Sequence, residues 1–317
     1  LITSVGGIAA RSAMKFSAFK SLSRVVLAAG FLTAAALAHA EPNRLRNVPS
    51  WVWFMPGGGQ YALGQDARAA AYLSSTAGFA WWGVNAEKHR ASGQMNAPLV
   101  YAQQAYILSL YESYRDVQML YGADRYNRRF DPAPLSKMFA APFERKQLTS
   151  PWVIGAAVAG AGINYAIARS VSHPRTFSGM SSFNYLGDTY NRDTGAAVYS
   201  AYWIPLSIGA GVSEEALFRG IIQSDWENRW GQKNGHIAAS AVFGLAHLND
   251  PSDPAVVANA LFAFGAGYYF GWRYQQNNYK LAENIAAHVW FDLAAGAALM
   301  LANPQENPLG AKIEYAF

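Results

Sequence analysis

Glu214, Glu215 and Arg219 sit in an otherwise apolar run that begins near Tyr199. On a helix Glu215 and Arg219 are four apart and share a face, where they can pair. Glu214 is rotated about 100° from its neighbour and is left free to face a cavity. Two later apolar runs carry one histidine each. Phe243 and His247 are four apart in the first; His288 and Asp292 are four apart, hence on one face, in the second. A charged side chain inside a membrane helix is costly and marks a functional site by default. The chemistry on offer is hydrolysis. The chain has no cysteine, no Gly-x-Ser-x-Gly elbow and no His-Glu-x-x-His helix. What remains is a carboxylate acting through water, and desolvation in a low-dielectric bundle makes a carboxylate a stronger base. Glu215 would repel an ionised Glu214 unless Arg219 neutralises it, so one glutamate works and the other holds the structure. Taken singly, His247 and His288 also read as histidines that hydrogen-bond between helices, and Asp292 as a partner to either. Glu214, Glu215, His247, His288 and Asp292 are besides a set of nitrogen and oxygen ligands that zinc would accept.

The ordered set Glu-Glu-x-x-x-Arg, Phe-x-x-x-His and His-x-x-x-Asp, each on its own hydrophobic segment, resembles the CPBP family. That family comprises type II CAAX prenyl endopeptidases and related bacterial Abi proteins, and the resemblance covers about residues 198–300. It implies a metal-independent intramembrane glutamic endopeptidase with no cofactor and a peptide or protein substrate. Carried over by position, Glu214 and His247 would hold the water, and His288 with Asp292 would face the substrate carbonyl. Glu215 and Arg219 would support them. The prenyl endopeptidases have asparagine where this chain has Asp292. Asparagine can donate a hydrogen bond and an ionised aspartate can only accept, so Asp292 is expected to orient and charge His288. The departure bears on prenyl-CAAX specificity more than on hydrolysis.

The elements that must position these residues read as an all-α, multi-pass transmembrane helix bundle. Charged residues are 14% of the 317 and apolar residues 52%, against about 25% charged in soluble domains. The formal charge of +5 is suited to orienting loops and meeting anionic lipid. The basic residues are spread over loops without a nucleic-acid motif, which argues against a nucleic-acid partner. Residues 1–40 read as a leader and secretory signal peptide, with Met14 an alternative start, a basic stretch (Lys15, Lys20, Arg24), an apolar run and cleavage after Ala40. Residues 41–150 form an N-terminal region, and residues 151–317 the membrane core with the motifs. Within the first, Gly57, Gly58 and Gly59 follow Pro56 in a breaker cluster expected to stop a helix in a tight turn at the membrane surface. Residues 67–86 read as a first span. Residues 98–120, with Gln103, Gln104, Glu112, Arg115 and Asp116, read as an amphipathic helix on the surface or against the bundle. Residues 151–168 read as the second span, and residues 197–222, 236–248, 255–274 and 282–302 as four more apolar segments.

Lys88, Arg90, Arg125, Arg128, Arg129, Lys137, Arg145 and Lys146 lie between the first two expected spans. By the positive-inside rule that loop is cytoplasmic, in a bacterial inner membrane. Alternation then puts Arg229, Lys233, Arg273 and Lys280 on the same side. The tail 312–317 alternates like a barrel strand, but no series of alternating segments precedes it. Two non-enzymatic readings stay open: an immunity or scaffold protein binding a peptide in the same cavity, and a proton-coupled transporter using the same buried acids.

Overall fold

Apolar residues at helical spacing, punctuated by glycine and proline, become long helices joined by turns. The computed structural model describes residues 45–88, 92–121, 129–170, 174–185, 188–248 and 250–304. The expected signal peptide, Arg90, Arg125, Arg128 and the tail 312–317 lie outside the described residues. The long elements are α1 (Asp66–Lys88), α2 (Ser92–Tyr121), the short α3 (Leu135–Ala140), α4 (Pro151–Ser170), α5 (Arg192–Glu214), α6 (Ser224–Trp230), α7 (Gln232–Ala246), α8 (Pro254–Gln276) and α9 (Ala282–Ala302). The segment between α4 and α5 contains a small antiparallel hairpin, β1 (Ser182–Tyr185) with β2 (Asp188–Asn191), in which Ser182 faces Asn191. Asn191 then caps α5, its side-chain oxygen accepting from the Thr194 amide at 2.9 Å.

α1 and α2 run antiparallel, as the contacts Phe79–Tyr101, Tyr72–Glu112 and Arg68–Asp116 show. Of the two positions expected for residues 98–120, on the surface or against the bundle, the structure has the second. Ile107, Leu110, Tyr111 and Tyr114 of α2 pack into the main core with Val212, Leu217 and Ile221, while Glu112 and Arg115 are buried too. The glycine cluster is a turn, as expected: a short helical segment, Ser50–Phe54, ends just before it, and a one-turn helix, Gly58–Ala62, opens after it, laid against α2. Gly57 turns the chain at φ +79° and donates its amide to the Ser109 hydroxyl at 2.8 Å. A Cβ on Gly59 would lie 2.2 Å from the Ser113 hydroxyl oxygen, so only glycine allows this approach.

The seam that carries the site is α5 against α9, with α4 behind α9. Gly211 lets α5 close on Val289, where a Cβ would come within 2.5 Å of a methyl carbon. Gly160 does the same for α4 against the Phe291 carbonyl. Small residues at helix crossings are what close packing in lipid favours. Outward faces are apolar: Val158, Ile154 and Ile167 on α4, and Leu261, Phe262 and Tyr268 on α8, are exposed. An apolar exterior around buried charge suits a lipid surround. By length and composition two helices, α4 and α9, can cross a membrane. The expected first span, in α1, does not reach that apolarity.

One end of the molecule gathers the basic loop. Arg129 donates to the Glu227 carbonyl at 2.7 Å, and Lys280 lies 3.5 Å from Asp131. Asp131 also accepts the Leu281 amide at 2.8 Å. The turn between α8 and α9 places Asn278 and Tyr279 at positive φ. Tyr279 donates to the Glu227 carboxylate at 2.9 Å. Burial, helped by that carboxylate, pushes its phenol up to about 12 and keeps it a donor.

Candidate active site

α5 does not end at Glu214. The helix continues from Glu215–Gln223 as a π-helix and then as α6. Widening the turn by one residue is rare and concentrates at functional sites. Here it occupies the Glu-Glu-x-x-x-Arg motif itself. The Ser224 amide and hydroxyl both return to the Arg219 carbonyl, the hydroxyl at 3.0 Å, which closes the wide turn. Gly220 admits the Tyr111 ring, since a Cβ there would lie 2.7 Å from a ring carbon. The whole π segment is buried.

Inside this segment Arg219 donates to Glu215 Oε1 at 2.9 Å and to the Gly267 carbonyl of α8 at 3.1 Å. Its guanidinium stands over Phe243 at 4.6 Å and Phe270 at 5.3 Å. One turn on, Gln223 repeats the pattern, donating to the Gly271 carbonyl at 3.0 Å. His236 of α7 reaches the Tyr268 carbonyl at 2.8 Å, and Asn284 of α9 the Phe270 carbonyl at 2.6 Å. Polar side chains from three elements thus hold α8 in place through its own carbonyls.

His288 is the hub of the site. Its Nδ1 lies 3.0 Å from Glu215 Oε1, and a hydrogen on that nitrogen donates to the carboxylate. Its Nε2 lies 3.9 Å from Glu214 Oε2 and 3.7 Å from Asp292 Oδ2. Both separations exceed a direct hydrogen bond and are of the size a shared water would bridge. Glu214 Oε2 is buried with no hydrogen-bond partner among the described residues. The Phe270 ring stacks on the imidazole at 5.4 Å. Asp292 is the more open group, its side chain 20% exposed against 7% for Glu214, so approach to the site is from its side.

His247, at the end of α7, holds its Nδ1 2.8 Å from the Phe243 carbonyl. A carbonyl only accepts, so Nδ1 carries the hydrogen and Nε2 is the accepting nitrogen of the neutral ring. Phe243 neighbours both histidines, 4.8 Å from the His247 ring and 6.5 Å from that of His288. Among the described residues the imidazole in ion-pair range of Glu214 is that of His288.

Residues 196–294, about a third of the chain, match the family model described as type II CAAX prenyl endopeptidase Rce1-like, so that stretch is similar to the CPBP family. No curated protein and no solved structure matches the chain. The matched stretch runs from the first turns of α5 to just beyond Asp292, so it contains all six residues singled out from the sequence. It leaves out α1 and also α2, whose Tyr111 packs on the π segment at Gly220. Asn284 and Trp203 lie in the matched stretch yet escaped the sequence reading. Asn284 donates to Glu215 Oε2 at 3.3 Å, and the Trp203 indole donates to the Asp292 carbonyl at 3.0 Å. Asn284 precedes His288 by four residues, and that spacing was the one available signal.

Proposed function

We propose that this chain is an intramembrane endopeptidase that hydrolyses a peptide bond with water activated by Glu214, without a metal. The observation that carries the reading is the buried, unpartnered Glu214 Oε2 held 3.9 Å from His288 Nε2. A buried polar atom without a partner is costly, and a site that leaves one open has room for the reacting water.

In this mechanism Glu214 takes one proton from the water while its oxygen adds to the scissile carbonyl carbon. His247, with Nε2 as acceptor, steadies the other hydrogen of the water. The carbonyl becomes an oxyanion facing His288, which donates from Nε2 as an imidazolium flanked by Glu215 and Asp292. Glu214 then returns its proton to the amine nitrogen as the carbon–nitrogen bond breaks, giving a carboxylic acid and an amine. Arg219 keeps Glu215 charged and in place. Asp292 takes the position of the asparagine of prenyl endopeptidases and accepts rather than donates, a departure that bears on prenyl-CAAX specificity; the substrate is a peptide or protein.

The apolar exterior of α4 and α8 supports insertion in the bacterial inner membrane after export by the signal peptide. The gathering of Arg129, Lys280 and their partners at one end supports a cytoplasmic basic face. The test compares N-terminal peptides in membranes carrying the wild type and Glu214→Gln. The expected result is cleavage products that vanish in the variant while the protein stays inserted, and that persist under strong chelators. Retained products in Glu214→Gln overturn the base assignment; loss on chelation overturns the metal-free one. A binding or immunity protein would yield no Glu214-dependent product.

A further inference from the structure

We infer that Asn284 is a positioning residue of the site, acting through Glu215 to aim the His288 imidazole; this rests on the endopeptidase reading for its kinetic consequence only. Asn284, His288 and Asp292 follow one another at four-residue intervals on α9 and so share a face. The Asn284 amide group has two hydrogens, and both are spent in the buried interior. One goes to the Phe270 carbonyl at 2.6 Å and one to Glu215 Oε2 at 3.3 Å. Glu215 Oε1 in turn receives Arg219 at 2.9 Å and His288 at 3.0 Å.

The carboxylate is therefore held by both oxygens. With Oε1 alone anchored, the group would swing about its last carbon–carbon bond, and the imidazole hydrogen-bonded to it would swing too. Anchoring Oε2 fixes the carboxylate plane. A fixed plane fixes the direction in which Nδ1 bonds, and hence where Nε2 points on the far side of the ring. Nε2 is the atom that stands between Glu214 and Asp292. The link to Phe270 adds a second constraint, because the ring stacked on His288 at 5.4 Å belongs to the residue whose carbonyl Asn284 holds. Asn284 thereby ties the carboxylate below the imidazole and the ring beside it to one side chain. It touches neither the water nor a substrate and acts only through these neighbours.

The experiment uses the full chain in detergent with histidine labelled in nitrogen-15. The chain has six histidines, and His288→Gln identifies the His288 signals. In the wild type the His288 Nδ1 proton is expected far downfield, as a hydrogen on a carboxylate is. Asn284→Leu, of similar volume, is expected to move or abolish that signal while the His236 and His247 signals stay in place. Peptide production in membranes should fall about tenfold to a hundredfold, the cost of a misaimed group, with the loss in kcat and KM unchanged. Asn284→Ser, which keeps one donor, serves if the leucine variant does not fold, and is expected to fall between. An unmoved His288 signal in either folded variant overturns the inference. A moved signal in a protein whose products do not depend on Glu214 leaves the positioning standing and sinks the endopeptidase reading instead.

Discussion

Two buried polar centres sit in this protein, and they are built on opposite terms. Between α1 and α2, two acids meet two arginines. Glu112 accepts the Tyr72 hydroxyl at 2.8 Å and lies 3.4 Å from Arg115, while Asp116 takes Arg115 at 2.6 Å and Gln65 at 2.9 Å. Arg68 closes the group at 3.2 Å from Asp116. Between the π segment and α9, three acids, Glu214, Glu215 and Asp292, surround His288, with Arg219 paired to Glu215 and one carboxylate oxygen left without a hydrogen bond. A network whose charges offset and whose donors meet acceptors stabilises a fold. One with an excess of acid and an open oxygen has been kept open for something else. The difference separates scaffold from site more sharply than burial does, since Glu112 and Arg115 are buried as Glu214 and Glu215 are, although the Arg68 side chain is 49% exposed.

The comparison is sharpened most by removing one negative charge from each centre. Glu214→Gln is expected to lower cleavage by about a thousandfold or more and to leave the unfolding of the detergent-solubilised protein unchanged or slightly raised. Unchanged cleavage would erase the contrast. Arg219→Met comes next: it strands Glu215 as an unpaired buried charge and should cost about 3–5 kcal/mol of stability, along with cleavage. Chemical denaturation in mixed micelles reads the first and peptide analysis the second.

On the other side of the comparison, Glu112→Gln should cost about 1–3 kcal/mol, since Arg115 and Arg68 are then left to share Asp116, while product formation per folded molecule stays at the wild-type level. A large fall in turnover from this variant would mean that the α1–α2 centre takes part in the reaction. Tyr72→Phe is the smallest change. Loss of its hydroxyl removes one neutral donor to Glu112 and should lower stability by about 1 kcal/mol, seen as a small drop in melting temperature with activity intact.

Much of the site could be read from residue spacing because it is local. A helix fixes which residues four apart share a face, so Glu215 with Arg219 and His288 with Asp292 follow from chain order alone, and the structure pairs the first at 2.9 Å and sets the second at 3.7 Å. The apolar segments that carry them were legible for the same reason. For residues 98–120 the sequence left two positions open, on the surface or against the bundle, because their charges look solvated in isolation. The acids and arginines that offset one another lie partly on α1, some 40–50 residues away, and only packing brings them together. In the glycine cluster the turn at Gly57 was legible, whereas the need for glycine at Gly59 comes from Ser113 on another helix.

By itself the sequence determined the family resemblance of residues 196–294, the helices, and the pairs that one helix turn can join. Only the tertiary structure decided that His288 rather than His247 stands against Glu214, that the motif helix widens into a π turn, and that Asn284 holds the second oxygen of Glu215. The physical reason is range. Helical geometry is set within a few residues, whereas those three features depend on how segments about 70 residues apart pack together, and side-chain spacing within any one segment carries no record of that contact.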